Sequence, residues 1–168
     1  VTEVCGTNDP DSLELETYSS VKEAHKDGSL VAHCGSCGAC SNPYDLTLMT
    51  HLDASVFGRL GRCGWRIMLG KRAVNRCLAN RMGFTDECRD CWSRYIHCAA
   101  AKCHFSCMTR GLLGPSRCKE CQERSCKADY LHCAGVDRER LGFMDVERDG
   151  SINPETFEDS CPSVDYFL

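Results

Sequence analysis

No apolar run in the sequence approaches the roughly 18 residues that a helix needs to cross a bilayer. A glycine-rich phosphate loop and a dinucleotide fingerprint are also missing, which removes nucleotide-dependent redox chemistry and phosphoryl transfer from the functions to expect. There is no internal repeat or low-complexity tract, and no Asn-x-Ser/Thr sequon, so N-glycosylation is not expected. A large charge of one sign is lacking, since 24 acids against 20 bases leave a net −4. The start, Val1-Thr2-Glu3-Val4, has no charged-then-apolar leader, and the expectation is a mature secreted or luminal chain whose signal peptide has been removed.

What the sequence has in excess is cysteine, sixteen in 168 residues, the level of a disulfide scaffold made for an oxidising compartment. The hydrophobic content of 42% includes them, so the remainder is thin for a core unless crosslinks assist. Cys5 and Cys161 stand apart from the other fourteen, and are expected to tether the ends to each other or to the central block. In that block, Cys34/Cys37/Cys40, Cys88/Cys91 and Cys118/Cys121 have C-x-x-C spacing, which in a reducing compartment would suggest zinc. The first run is like an iron–sulfur loop, but Asn42 stands where the fourth cysteine would precede Pro43. An even set points to eight structural disulfides, with thiolate metal binding or a redox-active pair as alternatives; spacing does not give the pairing.

Charge is distributed unevenly: residues 1–33 carry seven acids and two bases, 34–134 eight acids and fifteen bases, and 135–168 nine acids and three bases. Acidic ends flank a basic middle, and either fold back to neutralise it or frame an anion-binding face. Both ends would repel a phosphate backbone, so nucleic acid is disfavoured. Residues 6–33 are expected to hold a short helix or strand, and 34–44 a compact irregular loop. The rest reads as three main helices. From Cys63 to Met82 there is no proline, and Cys63, Ile67, Val74, Cys77 and Leu78 share one arc while Arg62, Arg66, Arg72 and Arg76 share another, with Gly83 as C-cap. Thr85 caps a helix to Arg110 that carries Cys88, Cys91 and Cys98 on one face and Cys103 and Cys107 on a displaced one. Ser116 caps a third, with Cys118, Cys121, Cys126 and Cys133, ending at Gly135. The expected fold is mainly α: a single domain, 1–168, built as a small disulfide-stapled helical bundle with irregular acidic ends.

The run His33-Cys34-Gly35-Ser36-Cys37-Gly38-Ala39-Cys40-Ser41-Asn42, followed by Asp45, resembles functionally uncharacterised cysteine-rich secretory proteins of microalgae and other protists. The likeness continues at Cys88-Arg89-Asp90-Cys91-Trp92, at Cys118/Cys121, and at Ala134-Gly135 followed by Arg138, Arg140 and Gly142, covering about residues 33–148. It departs at Asp149-Gly150-Ser151. The resemblance implies a scaffold and no chemistry.

Three sets of residues are candidate sites. His33, Ser41, Asn42, Asp45 and His51 gather a base, a hydroxyl, an amide and carboxylate within nineteen residues, suited to acid–base catalysis if Asp45 orients a histidine. In a tight disulfide loop the same residues equally serve to satisfy backbone groups. Arg62, Arg66, Arg72 and Arg76, with Trp65 and Leu69 among them, suit a carboxylate or phosphate ligand, or else form a solvated face. Asp145, Glu147, Asp149, Gly150 and Ser151 follow the calcium-loop order of an EF-hand up to position twelve, where Thr156 replaces the bidentate glutamate; a faint second copy is Asp27-Gly28-Ser29-Leu30. The plain alternative is a turn into a helix capped by Asn153 with Pro154 at its first position. His97 and His104, seven apart, read as structural.

The reading that follows is a secreted disulfide-rich binding or interaction protein for a small ligand or an extracellular protein, with no cofactor unless calcium binds. The alternatives are a small secreted cofactor-independent hydrolase, lyase or isomerase working through His33, Asp45 and His51, and an extracellular calcium-binding protein. A toxin or defence role fits the scaffold but has no residue to carry it.

Overall fold

The computed structural model describes residues 3–9, 13–50, 62–108, 114–137 and 161. The chain divides into two compact units, Val1–Ala54 with Ala134–Leu168, and Ser55–Cys133. The expected mainly helical class is observed, and all sixteen cysteines are disulfide-bonded.

In the first unit, residues 6–33 form more than the single short element expected. Strands β1 (Val4–Thr7), β2 (Glu16–Tyr18) and β3 (Leu30–His33) make an antiparallel sheet in the order β2-β1-β3. As the central strand, β1 is buried along its whole length, so it shows no alternation to read from sequence. Its register with β3 shifts between Cys5 and Gly6, and a Cβ at Gly6 would come within 2.7 Å of the Leu30 carbonyl oxygen. Helix α1 (Val21–Lys26) starts at Ser20, whose hydroxyl accepts from Glu23 N–H at 3.2 Å. Glu23 reaches back to accept from Ser19 N–H at 2.9 Å and from the Ser19 hydroxyl, and these bonds hold its carboxyl below the usual carboxylate range. Val4, Tyr18, Ala24 and Val31 form the small core, with Val21 and Cys161 packed against it. Cys5 pairs with Cys37 and Cys34 with Cys161, so both ends are tethered to the start of the cysteine-rich block and not to each other. Helix α2 (Pro43–Thr50) begins inside the stretch expected to be loop, because Asn42 and Pro43 are a cap and a first helical residue.

In the second unit the first expected helix is interrupted. A 3₁₀ turn, Trp65–Leu69, ends at Gly70 with φ +88°, and α3 (Lys71–Met82) starts there. Only glycine takes that backbone freely. Cys63, Val74, Cys77 and Leu78 are buried as the periodicity requires, Ile67 on the 3₁₀ turn is only half-buried, Met82 is buried as well, and Gly83 closes the helix in the left-handed conformation. Thr85 caps α4 (Asp86–Lys102) by accepting from Cys88 N–H at 3.4 Å. The helix does not run to Arg110: it breaks at Cys103, and α5 (His104–Met108) follows. Helix α6 (Gly114–Ala134) begins at Gly114, two residues before the expected cap at Ser116.

Four disulfides join α4 and α5 to α6: Cys91–Cys133, Cys98–Cys126, Cys103–Cys121 and Cys107–Cys118. Each step forward along α4–α5 is answered by a similar step back along α6, which is what antiparallel helices require. On a continuous helix, residues five apart sit about 140° apart around the axis, so Cys121 faces away from the stripe of Cys126 and Cys133. The break at Cys103 lets α5 turn and follow it. Cys63–Cys77 ties the start of the 3₁₀ segment to α3, and Lys71 pairs with Asp90 at 3.0 Å across α3 and α4.

Phe84, Trp92, Tyr95 and Tyr130 pack as an aromatic cluster, with Trp92 and Tyr130 ring centres 4.6 Å apart and Tyr95 and Tyr130 5.3 Å apart. Burial, with the Glu123 carboxylate adding to it, pushes the Tyr95 phenol up to about 12. A raised phenol favours the protonated folded state, so its contribution is whole below the ordinary value of 10.0 and is lost as pH rises toward about 12. A phenolate-absorbance titration is expected to show one late-ionising tyrosine that disappears in Tyr95→Phe. Ionisation of every tyrosine near the ordinary value would contradict this packing.

Candidate functional site

The loop between β3 and α2 carries the residues considered for acid–base chemistry. Asn42 is the N-cap of α2, accepting from Asp45 N–H through Oδ1 at 2.9 Å, while its Nδ2 donates to the Asp45 carboxylate at 2.6 Å and to Ala39 O at 3.2 Å. This reciprocal cap places Asp45 at the third helical position with its side chain buried. The Ser41 hydroxyl donates to Gly135 O at 2.7 Å and accepts from Gly38 N–H at 3.0 Å. Its one proton and its oxygen are thus both engaged in closing the loop onto residues 134–135. Cys40 N–H adds a bond to Ala134 O at 2.9 Å, and Asp137 N–H one to Ala32 O at 3.3 Å.

Glycine is required at this junction. Gly135 has φ +67°, and a Cβ on it would lie 1.7 Å from the Gly38 nitrogen. His33 ends β3 opposite Cys5, and its Nε2 would lie 2.7 Å from a Cβ on Gly35, so the imbalance of glycine in this loop makes room for the imidazole as well as for backbone. His33, Ser41 and Asp45 are only 7%, 8% and 0% exposed. The structure therefore brings Ser41, Asn42 and Asp45 into one bonded loop, in which Asn42 and Asp45 cap α2 and Ser41 fastens the loop to residues 134–135. His51 lies outside the described residues.

The arginine stretch has the opposite character. Arg62, Arg66, Arg72 and Arg76 are all exposed, and none has an ion pair or hydrogen bond among the described residues. Trp65, Met68 and Leu69 are 79%, 89% and 74% exposed on the 3₁₀ turn among them. Met68 is not among the residues singled out from sequence, although at 100° per residue it already falls outside the apolar arc. A signal was present nonetheless: between Asp53 and Asp86 the chain has seven lysines and arginines and no acid. Fully exposed side chains supply no walls for a small ligand, which needs most of its surface enclosed. The arrangement suits a broad anionic surface.

The calcium-loop residues Asp145, Glu147, Asp149 and Ser151 lie outside the described residues, as do Arg138 and Arg140. The faint second copy is a turn: Asp27 caps α1, Gly28 has φ +74°, and the Tyr18 hydroxyl bonds Ser29 Oγ at 2.7 Å and donates to Asp27 at 3.2 Å. Among the described residues no group of three or more His, Cys, Asp and Glu side chains is placed to hold a metal ion, and no helix is long and apolar enough to cross a membrane.

Gly135→Ala is expected to lower stability by about 3 kcal/mol or more, through both the left-handed backbone and the clash with Gly38. Ser41→Ala, which strands a donor and an acceptor, should cost about 1–3 kcal/mol. Denaturant unfolding of the oxidised proteins measures both, and a Gly135→Ala protein as stable as the parent would contradict the junction.

Two parts of the chain are thus described as a loop lock and an exposed basic, aromatic turn. Comparison with known proteins adds a likeness over the helical part: residues 71–151, from the start of α3 onward, match the family described as "Family of unknown function (DUF8771)". No curated protein and no solved structure matches the chain.

Proposed function

We propose that this protein is a secreted, disulfide-stapled interaction protein that binds an anionic partner through residues 62–76. The observation that carries the reading is the set of four exposed arginines without partners among the described residues, interleaved in sequence with an exposed Trp65-Met68-Leu69 turn in a chain whose net charge is negative. Guanidinium groups pair with carboxylate, sulfate or phosphate through planar forks, and an exposed indole adds stacking and apolar contact.

Full pairing of the cysteines supports an oxidising compartment, and the resemblance of the His33–Asn42 run to cysteine-rich secretory proteins of protists supports an extracellular setting. The scaffold has a physical role in recognition. Residues held by crosslinks lose little freedom when a partner binds, so more of the contact energy appears as affinity.

Immobilised heparin, a generic polyanion, tests the anion-binding face. The oxidised protein is expected to be retained at low salt in spite of its acidic composition, and the fourfold Arg62→Gln, Arg66→Gln, Arg72→Gln, Arg76→Gln variant to flow through. Retention that the variant leaves unchanged, or no retention of the parent, would overturn the proposal.

A further inference from the structure

The geometry points to an anionic lipid surface as the partner, with Trp65, Met68 and Leu69 entering the headgroup region and Arg62, Arg66, Arg72 and Arg76 pairing with lipid phosphates and carboxylates. This inference rests on the anion-binding reading above and narrows it to one class of partner.

Three observations carry it. The apolar side chains stand out from the protein: at 74–89% exposure they have almost no neighbours of their own. Anchors in a protein interface gain most of their energy in packed, desolvated pockets, and a tip of this kind needs a partner with a deep matching hollow. A bilayer yields to any convex tip, and tryptophan is favoured where apolar chains meet headgroups.

The charges fit the same partner. Seven basic residues and no acid lie between Asp53 and Asp86, so the segment holding the tip carries one sign of charge in a protein that is acidic as a whole. Each cation near an anionic leaflet adds about fivefold to binding, and basic residues set among interfacial apolar ones are the pattern of a protein that lies on a membrane without crossing it.

The tip is also braced. Cys63–Cys77 closes the loop that contains it, both sulfurs are buried, and Val74 and Leu78 hold the inner side of α3 in the core while Trp65, Met68 and Leu69 face outward. Insertion would therefore need little ordering of the chain.

Trp65 reports on the event, because the only other tryptophan, Trp92, is buried. The oxidised protein is mixed with phosphatidylcholine vesicles with and without phosphatidylserine, and tryptophan emission and co-sedimentation are followed. The expected result is a blue shift and co-sedimentation with the phosphatidylserine vesicles only, reversed by salt. The fourfold arginine-to-glutamine variant should bind on the order of a hundredfold or more weaker. Met68→Ser with Leu69→Ser, which keeps the reporter, should bind about tenfold or more weaker; near-ultraviolet circular dichroism checks that both variants keep the fold.

Heparin retention without vesicle binding would overturn the lipid assignment and leave the anion face standing; retention on immobilised polyglutamate would then indicate an acidic protein partner. Equal binding to both vesicle types, or vesicle binding unaffected by the Met68 and Leu69 changes, would also overturn it. Failure on heparin as well as on vesicles removes both readings.

Discussion

The antiparallel register between α4–α5 and α6 is the constraint on which the second unit depends. Steps of seven, five and four residues along one strand of cysteines, Cys91, Cys98, Cys103 and Cys107, are answered by seven, five and three along the other, Cys133, Cys126, Cys121 and Cys118. A slip of one helical residue would rotate every sulfur by about 100° and break all four bridges together. Each bridge closes a loop of moderate length, worth about 2–4 kcal/mol in the chain-entropy picture. That support matters in a unit whose apolar core is an aromatic cluster and a handful of aliphatic side chains. It also explains the break at Cys103: a straight helix would carry Cys103 and Cys107 away from their partners.

Most of the helical part was legible in the sequence because helix periodicity and capping are local. Thr85, Gly83 and Gly135 mark their helix ends as expected, and Val74, Cys77 and Leu78 are buried as their arc requires. The sheet was not legible. Strand β1 is held by a disulfide to Cys37 and by pairing with residues ten or more positions away, and its uniform burial erases the two-residue period. The interruption at Gly70 was missed because the arginine and apolar arcs plotted smoothly through it; the φ of +88° decides the matter, and a helical plot has no view of it. The pairing ladder was present as mirrored spacings, but those become a signal only after the two helices are known to be antiparallel.

The candidate sites divide by the same logic. Ser41, Asn42 and Asp45 were read either as catalytic groups or as residues satisfying a tight loop, and their hydrogen bonds show them doing the second: capping α2 and fastening residues 38–41 to 134–135. What makes that loop distinctive in sequence, its glycines and small polar residues, follows from the close approach of Gly38 and Gly135. The arginine stretch was legible as a charged arc, but its functional weight comes from what surrounds it. Charges alone are a solvated face; it is the exposed Trp65, Met68 and Leu69 beside them, on a turn closed by Cys63–Cys77, that lead us to propose an interaction surface there.

Disulfide mapping tests the central constraint most directly. Proteolysis of the unreduced protein at a pH that prevents exchange, followed by mass spectrometry, should return peptides joined as Cys91–Cys133, Cys98–Cys126, Cys103–Cys121 and Cys107–Cys118. Bridges within α4–α5, crossed pairs that break the mirrored order, or free thiols at these positions would contradict the antiparallel ladder and the fold built on it.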